Sequence, residues 1–193
     1  MGLRQAILGF LTADDMTGYE FAKAFDGSVG NIWAAPHSQI YRELRKMEEE
    51  GLVRGRAIAR GTAEKREYAI TDEGVARLME WLETPLPFPP ERDAHRLQAL
   101  YLDMISPAAA RQRFEEHLHY FEHRLLHWTG TRDAITARRL PILRQRLEHR
   151  DPSEHDAIVE YKAHAFDGLV AQAKSEIAWA RRGLALVDRL EAE

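Results

Sequence analysis

The spacing of hydrophobic and polar positions in the first half of the chain predicts helices and one β-hairpin. A helical period dominates, and an alternating period appears between residues 52 and 70. The predicted elements are a helix over Leu3–Leu11, a helix from a Thr17–Glu20 capping box to Gly27, a helix from Pro36 to Gly51, strands over Leu52–Ile58 and Arg66–Ile70, and a helix over Asp72–Glu83 capped by Thr71. Three helices followed by a hairpin is the order of a winged helix-turn-helix.

The second half of the chain is predicted to be helical throughout. The predicted helices are His95–Met104, a helix capped by Ser106–Pro107 and interrupted at Thr129–Thr131, a helix over Asp133–His149 kinked at Pro141, and a helix over about Glu154–Leu190 with Ile158, Tyr161, Ala165, Leu169, Ala173, Ile177, Ala180, Leu184 and Val187 on one face. The last helix would be over ~50 Å long. A small domain does not cover such a length alone, so we expect a partner chain.

A heptad spacing supports the same expectation. Residues spaced 4, 3, 4 and 3 apart form a seam for another helix. The expected dimerisation residues are Phe114, Leu118, Phe121, Leu125 and Trp128 in this seam, and Leu169, Ile177 and Leu184 in the last helix.

The strongest break in composition is a proline-rich stretch between the two halves. Four prolines fall between residues 85 and 90, and proline disfavours helix at the residue before it. The expected organisation is a winged helix-turn-helix domain over residues 1–83, a linker over 84–92 and a helical dimerisation domain over 93–193. The fold class is therefore mainly α.

Composition limits the possible functions. The 193 residues include no cysteine, which excludes disulfides and thiolate sites and fits a cytoplasmic protein. No apolar run is long enough to cross a membrane, and the N-terminus lacks a signal-peptide pattern. The formal net charge of −4 means that any contact with nucleic acid must come from a local basic patch.

Such a patch lies in the third predicted helix and the hairpin. With Ile40 at the centre of the buried face, the opposite face carries polar and cationic side chains in its first turns. Residues 54–66 add five cations and one anion. Candidate DNA-binding residues in this patch include His37, Arg45 and Lys46 on the helix and Arg60 at the tip of the hairpin.

The sequence resembles the PadR family of bacterial transcriptional regulators. The matching motifs are AILGFL, MTGYEFAKAF, SQIYRELRKMEEEGLV and REYAITDEGVARLMEWL, over roughly residues 3–83. The final segment, SEIAWARRGLALVDRL, is similar to the helical C-terminal domain of the subgroup with a virulence-activator-like tail. The resemblance implies a cytoplasmic homodimer that binds a dyad-symmetric operator, usually as a repressor, and responds to a small aromatic or drug-like effector. Carried over by position, the DNA contacts would be Tyr19, Ser38, Gln39, Tyr41 and Arg42, with Lys65 and Arg66 on the wing.

Two other groups of residues have competing interpretations. The aromatic residues around Phe25 and Trp33 fit core packing, with one wall of an effector pocket as the alternative. His119, His123 and His127 repeat every four residues, a spacing that binds zinc in some helices but is more often a solvated face. We therefore predict no metal and no cofactor.

No nucleophile motif or phosphate-binding loop is present, so an enzyme is not expected. Two alternatives to a DNA-binding regulator remain open from the sequence. One is a winged-helix adaptor that binds protein without binding DNA, and the other is a histidine-ligated metal protein.

Overall fold

The computed structural model describes residues 2–27, 30, 32–33, 35–60, 63–90 and 92–192. The elements are α1 (Gly2–Leu11), β1 (Met16–Thr17), α2 (Gly18–Asp26), α3 (His37–Glu49), β2 (Val53–Arg60), β3 (Ala63–Ile70), α4 (Asp72–Glu83), α5 (Ala94–Ala99), α6 (Pro107–Thr136), α7 (Pro141–Glu148) and α8 (His155–Ala192), with 3₁₀ turns at Leu102–Met104 and Pro152–Glu154. The predicted mainly α fold with a winged helix-turn-helix is confirmed. No described helix is both long and apolar enough to span a membrane.

The chain separates into two compact units. One comprises Met1–Leu86 with Arg138–Ala157, and the other comprises Pro87–Ala137 with Ile158–Glu193. The first unit therefore includes α7, which is distant in sequence from the winged helix. Arg146 on α7 donates a hydrogen bond of 2.8 Å to the Thr12 hydroxyl, and Ile142 packs against the core of this unit.

The core of the first unit lies between its helices and an antiparallel sheet. The strand order is β1-β3-β2, and Met16 of β1 faces Tyr68 of β3. The sequence did not predict β1, because a two-residue strand leaves no periodic signal and is defined only by its distant partner. Phe21 of α2 and Ile40 of α3 are almost completely buried, as the predicted hydrophobic spacing requires.

Three residues fix the passage from α3 into the sheet and then into α4. Gly51 has a φ of 74°, a left-handed conformation that glycine adopts without strain. The Thr71 hydroxyl donates to the Gly51 carbonyl at 2.7 Å and accepts from the Gly74 amide at 3.1 Å. A Cβ on Gly74 would lie 2.2 Å from the Leu52 carbonyl oxygen, so α4 approaches this turn as closely as a glycine permits.

The second unit is built on α6 and α8. Phe114 of α6 packs edge-on against Trp179 of α8, with ring centroids 5.4 Å apart. Gly183 makes this approach possible, since a Cβ there would lie 2.4 Å from the Phe114 ring. The 38 residues of α8 span about 57 Å at ~1.5 Å per residue.

Two predicted helix boundaries in the second half were wrong. The interruption at Thr129–Thr131 does not occur, because α6 runs through it and the buried Thr131 hydroxyl donates to the His127 carbonyl at 3.1 Å. The kinked helix over Asp133–His149 is instead two helices. The proline at position 141 lacks an amide hydrogen and occupies the first turn of α7, where none is needed.

Two further details of the helical half also differ from the prediction. The segment His95–Met104 is not one helix but α5 followed by a separate 3₁₀ turn. The predicted face of α8 is correct towards its C-terminus but wrong near its start. There Val159 and Phe166 are buried while Tyr161 is 79 % exposed, because the 3.6-residue period allows two neighbouring stripes that apolar content alone does not separate.

Candidate nucleic-acid interface

The predicted capping box places the exposed ring of Tyr19 at the start of α2. The Thr17 hydroxyl accepts from the Glu20 amide at 3.2 Å, and the Glu20 carboxylate accepts from the Thr17 amide at 3.0 Å. Tyr19 is 63 % exposed. Helix α3 approaches this corner closely, since a Cβ on Gly18 would lie 2.4 Å from the Tyr41 ring. Tyr19 and Tyr41 are thus held at one end of the helix pair.

One face of α3 is buried and the opposite face is open to solvent. Ile40, Leu44 and Met47 are at most 1 % exposed. The predicted DNA-binding residues on this helix are all exposed: His37, Ser38, Gln39, Tyr41, Arg42, Arg45 and Lys46. The geometry therefore supports the predicted orientation of the helix, with its polar face available to a groove of DNA.

The cations on this face differ in how far they are already paired. Among the described residues, Arg42 and Arg45 have no ion-pair partner. Lys46 lies 4.0 Å from Glu50, and His37 lies 2.8 Å from Asp26. The two arginines are consequently the helix cations whose charge is least compensated within the protein, which favours contact with phosphates or base edges.

The hairpin formed by β2 and β3 adds a cationic edge. Val53 pairs with Ile70 at its base and Arg60 with Ala63 near its tip. Lys65 is exposed, and its ammonium lies 6.0 Å from the centre of the Tyr19 ring. The Arg60 side chain lies outside the described part of the structure, as do residues 61 and 62. The wing and the start of α2 therefore present a cation and an aromatic ring side by side.

The acidic residues that end α3 are used within the protein. Glu48 accepts hydrogen bonds from the Arg66 guanidinium and from the Gly55 amide, at 3.0 and 3.1 Å, and these bonds hold the pKa of the Glu48 carboxyl below its ordinary value. Glu50 pairs with Arg4 of α1 at 2.6 Å, which lowers the pKa of the Glu50 carboxyl. Glu50 also lies 4.0 Å from Lys46, whereas Arg45 and Glu49 form no ion pair in the described structure. Two of the three carboxylates therefore connect α3 to other elements.

The two candidate effector residues differ in their surroundings. Phe25 is 1 % exposed and packs against Phe10 and Phe21, with ring centroids 6.4 and 5.6 Å away. Trp33 is 44 % exposed, and its ring lies against Gly2. Core packing explains the position of Phe25. Of the two, only Trp33 presents an aromatic surface to solvent.

In the second unit, some of the candidate dimerisation residues are already packed against other residues of the same chain. Phe114, Trp128 and Ile177 are buried. Leu118, Phe121, Leu125, Leu169 and Leu184 are half-buried. An open groove of about 540 Å³ between α6 and α8 is lined by Leu125, Leu126 and Ile177, among others. Part of the heptad seam thus packs α6 onto α8, and part remains accessible.

A buried polar cluster joins α5, α6 and α8 in the same unit. Glu176 is 8 % exposed and accepts two hydrogen bonds from Arg96, at 2.9 and 3.1 Å. His117 Nε2 lies 3.1 Å from the same carboxylate. A cavity of about 550 Å³ opens beside this cluster. Sequence reasoning did not identify Glu176 or Arg96, because the two residues are 80 positions apart in the chain.

The predicted histidine row lies on the surface. His119, His123 and His127 are all exposed on α6. No group of three or more potential metal ligands occurs among the residues that the structure describes. The three histidines therefore lie on a solvent-exposed face of α6.

Comparisons with known proteins agree with this geometry. Residues 7–80 match the model of the transcriptional regulator PadR-like family. The chain is 30 % identical over 189 residues to the negative transcriptional regulator PadR of Bacillus subtilis, covering 97 % of this chain and 98 % of that protein.

Solved structures show the same relationship over nearly the whole chain. B. subtilis PadR in complex with operator DNA has a TM-score of 0.73 at 27 % identity, covering 97 % of this chain and 99 % of that one. Its complex with p-coumaric acid has a TM-score of 0.70 at 27 % identity, covering 96 % and 98 %. The Vibrio cholerae virulence activator AphA has a TM-score of 0.71 at 26 % identity, covering 98 % and 99 %. These matches give no support to the adaptor or to the metal protein.

Proposed function

Because the chain belongs to the PadR-like family of transcriptional regulators, we propose that it is a ligand-responsive repressor that binds a dyad-symmetric operator as a homodimer. The observation that carries this proposal is the exposed face of α3, where Arg42 and Arg45 have no ion-pair partner in the described structure. A buried stripe on the opposite side holds this face outward. The family consists of regulators rather than enzymes.

The roles of the residues follow from their positions. Tyr41 and Arg42 would meet base edges, together with Ser38 and Gln39 in the first turn of α3. The wing, with Lys65 and Arg60, would follow the phosphate backbone, which carries no sequence information but supplies much of the affinity. Tyr19 would extend this contact at the start of α2.

We propose the same assignment of functions to segments of the chain as the sequence predicts. Residues 1–83 would bind DNA, residues 84–92 would act as a linker, and residues 93–193 would provide the dimer interface, apart from the segment around α7 that belongs to the first compact unit. Support for the interface comes from the length of α8 and from the accessible groove beside Leu125 and Leu126. We place the protein in the cytoplasm, where the operator is.

An aromatic effector fits the complex of the B. subtilis relative with p-coumaric acid. Phenolic acids are therefore the first compounds to test, and Trp33 supplies an exposed ring for stacking. Release of bound DNA on their addition would support an effector that relieves repression, whereas tighter binding would indicate that the ligand acts as a co-repressor.

A selection of bound genomic fragments tests the DNA-binding proposal and identifies the operator in the same experiment. The proposal predicts enrichment of fragments that share an inverted repeat, with half-sites about one or more helical turns apart. Recovery of fragments in proportion to their abundance would contradict it.

A further inference from the structure

Glu48, at the C-terminal end of α3, is bonded to both strands of the wing. Its Oε1 atom accepts from the Gly55 amide of β2 at 3.1 Å. Its Oε2 atom accepts from Arg66 Nε of β3 at 3.0 Å, and a second nitrogen of the same guanidinium donates to Oε1. One carboxylate on the candidate DNA-reading helix thus holds the two strands that form the wing.

Glycine at position 55 is required for this arrangement. A Cβ there would lie 2.4 Å from Arg66 Nε and 2.6 Å from Glu48 Oε1. The carboxylate can therefore reach the strand backbone and the guanidinium together only because β2 carries no side chain at this point. Glu48, Gly55 and Arg66 form one fitted contact, which we call the wing latch.

The latch has an electrostatic cost if this surface binds DNA. Glu48 places a negative charge beside the cationic hairpin, where it repels phosphates and offsets the charge of Arg66. If repulsion were the only effect of Glu48, removal of its carboxylate would strengthen DNA binding. The bonds of Glu48 to the wing act in the opposite direction, because they hold Lys65 and the hairpin in one position relative to α3.

We propose that Glu48 is a positioning residue that fixes the wing against the DNA-reading helix, so that its carboxylate strengthens DNA binding despite its charge. This inference rests on the proposed DNA-binding function. It also assigns Arg66 to the latch rather than to a phosphate contact. The sequence placed Arg66 on the wing as a DNA contact, and the bidentate geometry with Glu48 favours the latch.

The test compares Glu48→Ala with Glu49→Ala in the full-length protein. Glu49 is the next residue on α3, is exposed and has no ion pair with the described residues. Both variants remove one negative charge, so simple repulsion predicts that both bind DNA more tightly. The latch predicts that only Glu49→Ala does so, while Glu48→Ala weakens binding on the order of five- to tenfold and flattens the salt slope by about 0.9 through loss of one wing–phosphate contact.

The double variant Glu48→Ala/Arg66→Gln separates a shared role from two independent ones. Residues that act through one contact give non-additive effects, so the double variant should bind DNA no more weakly than Arg66→Gln alone. Additive losses would overturn the latch, as would tighter binding by Glu48→Ala.

Hydrogen exchange without DNA keeps the two proposals distinguishable. The Gly55 amide donates to Glu48, so its exchange should accelerate in Glu48→Ala and remain as in the wild type in Glu49→Ala. Unchanged protection of Gly55 in both variants would refute the latch, whether or not the protein binds DNA. Absence of DNA binding by the wild type would refute the proposed function alone.

Discussion

Replacement of Arg42 by alanine should weaken operator binding without destabilising the protein. Arg42 is exposed and has no ion pair within the described structure, so its removal breaks no ion pair among the described residues. Surface changes of this kind alter stability by less than about 0.5 kcal/mol. An arginine that reads a base contributes about 1–3 kcal/mol, which corresponds to a loss of roughly 5- to 150-fold in affinity.

A matched control for Arg42→Ala is available on α4. Arg77 is also an exposed arginine of the first unit, and it pairs with Glu73 at 3.4 Å and Glu80 at 3.0 Å. Arg77→Ala changes the net charge equally. Because Arg77 is not one of the candidate DNA-binding residues, its replacement should leave DNA affinity nearly unchanged. Fluorescence anisotropy with the selected operator and with a scrambled duplex gives both affinities. Equal losses in the two variants, or an unchanged affinity for Arg42→Ala, would remove Arg42 from DNA readout.

Three further predictions concern the wing, the packing of α4 and the pH dependence of the latch. Lys65→Ala should lower affinity for all duplexes alike and reduce the salt slope by about 0.9 if it contacts one phosphate, and a wild-type slope would contradict that contact. Gly74→Ala should destabilise the protein by about 1–3 kcal/mol in thermal unfolding, since its Cβ meets the Leu52 carbonyl. The control Gly9→Ala, which has open space on α1, should not lower stability. The folded-state pKa of Glu48 is lowered from its ordinary value of 4.5, so the latch contributes stability above that pH and loses it as the pH falls through the depressed value. The difference in melting temperature between wild type and Glu48→Ala should therefore shrink as the pH falls below 4.5, and a difference that does not depend on pH would refute this linkage.

Local signals in the sequence were sufficient to predict most of the winged helix-turn-helix. The placement of Ile40 at the centre of the buried face of α3 also identified the exposed face on the opposite side of the helix. The Thr17–Glu20 capping box is also correct, because the residues that form it are neighbours. Each of these predictions depends on contacts within one or two helical turns.

The features that the sequence missed depend on residues that are distant along the chain. Nothing in the local sequence around Glu48 indicates its contacts, and only the folding back of the hairpin brings Gly55 and Arg66 to it. The continuity of α6 through Gly130 was missed for a related reason. Helix propensity is a weak preference, and packing of buried Thr131 in the second unit overrides it.

The sequence predicted where the candidate DNA-binding surface lies, but it did not predict which cations on that surface are already paired within the protein. The sequence indicated that the outer face of α3 is cationic, and the structure adds that Arg42 and Arg45 lack ion-pair partners among the described residues while Arg66 is held by Glu48. Such differences decide which cations are available to DNA. They follow from side-chain geometry, which periodicity does not encode.

Binding of the wild-type protein to its selected operator and to a scrambled duplex, measured over a range of salt concentrations, separates recognition of base sequence from attraction to phosphates. We expect tight binding to the operator, weaker binding to the scrambled duplex, and a log–log salt slope that reflects several phosphate contacts, at about 0.9 for each contact. Equal affinity for the two duplexes would contradict the proposal that α3 reads the base sequence. Binding that does not respond to salt would contradict the proposed contacts between the cationic wing and phosphates.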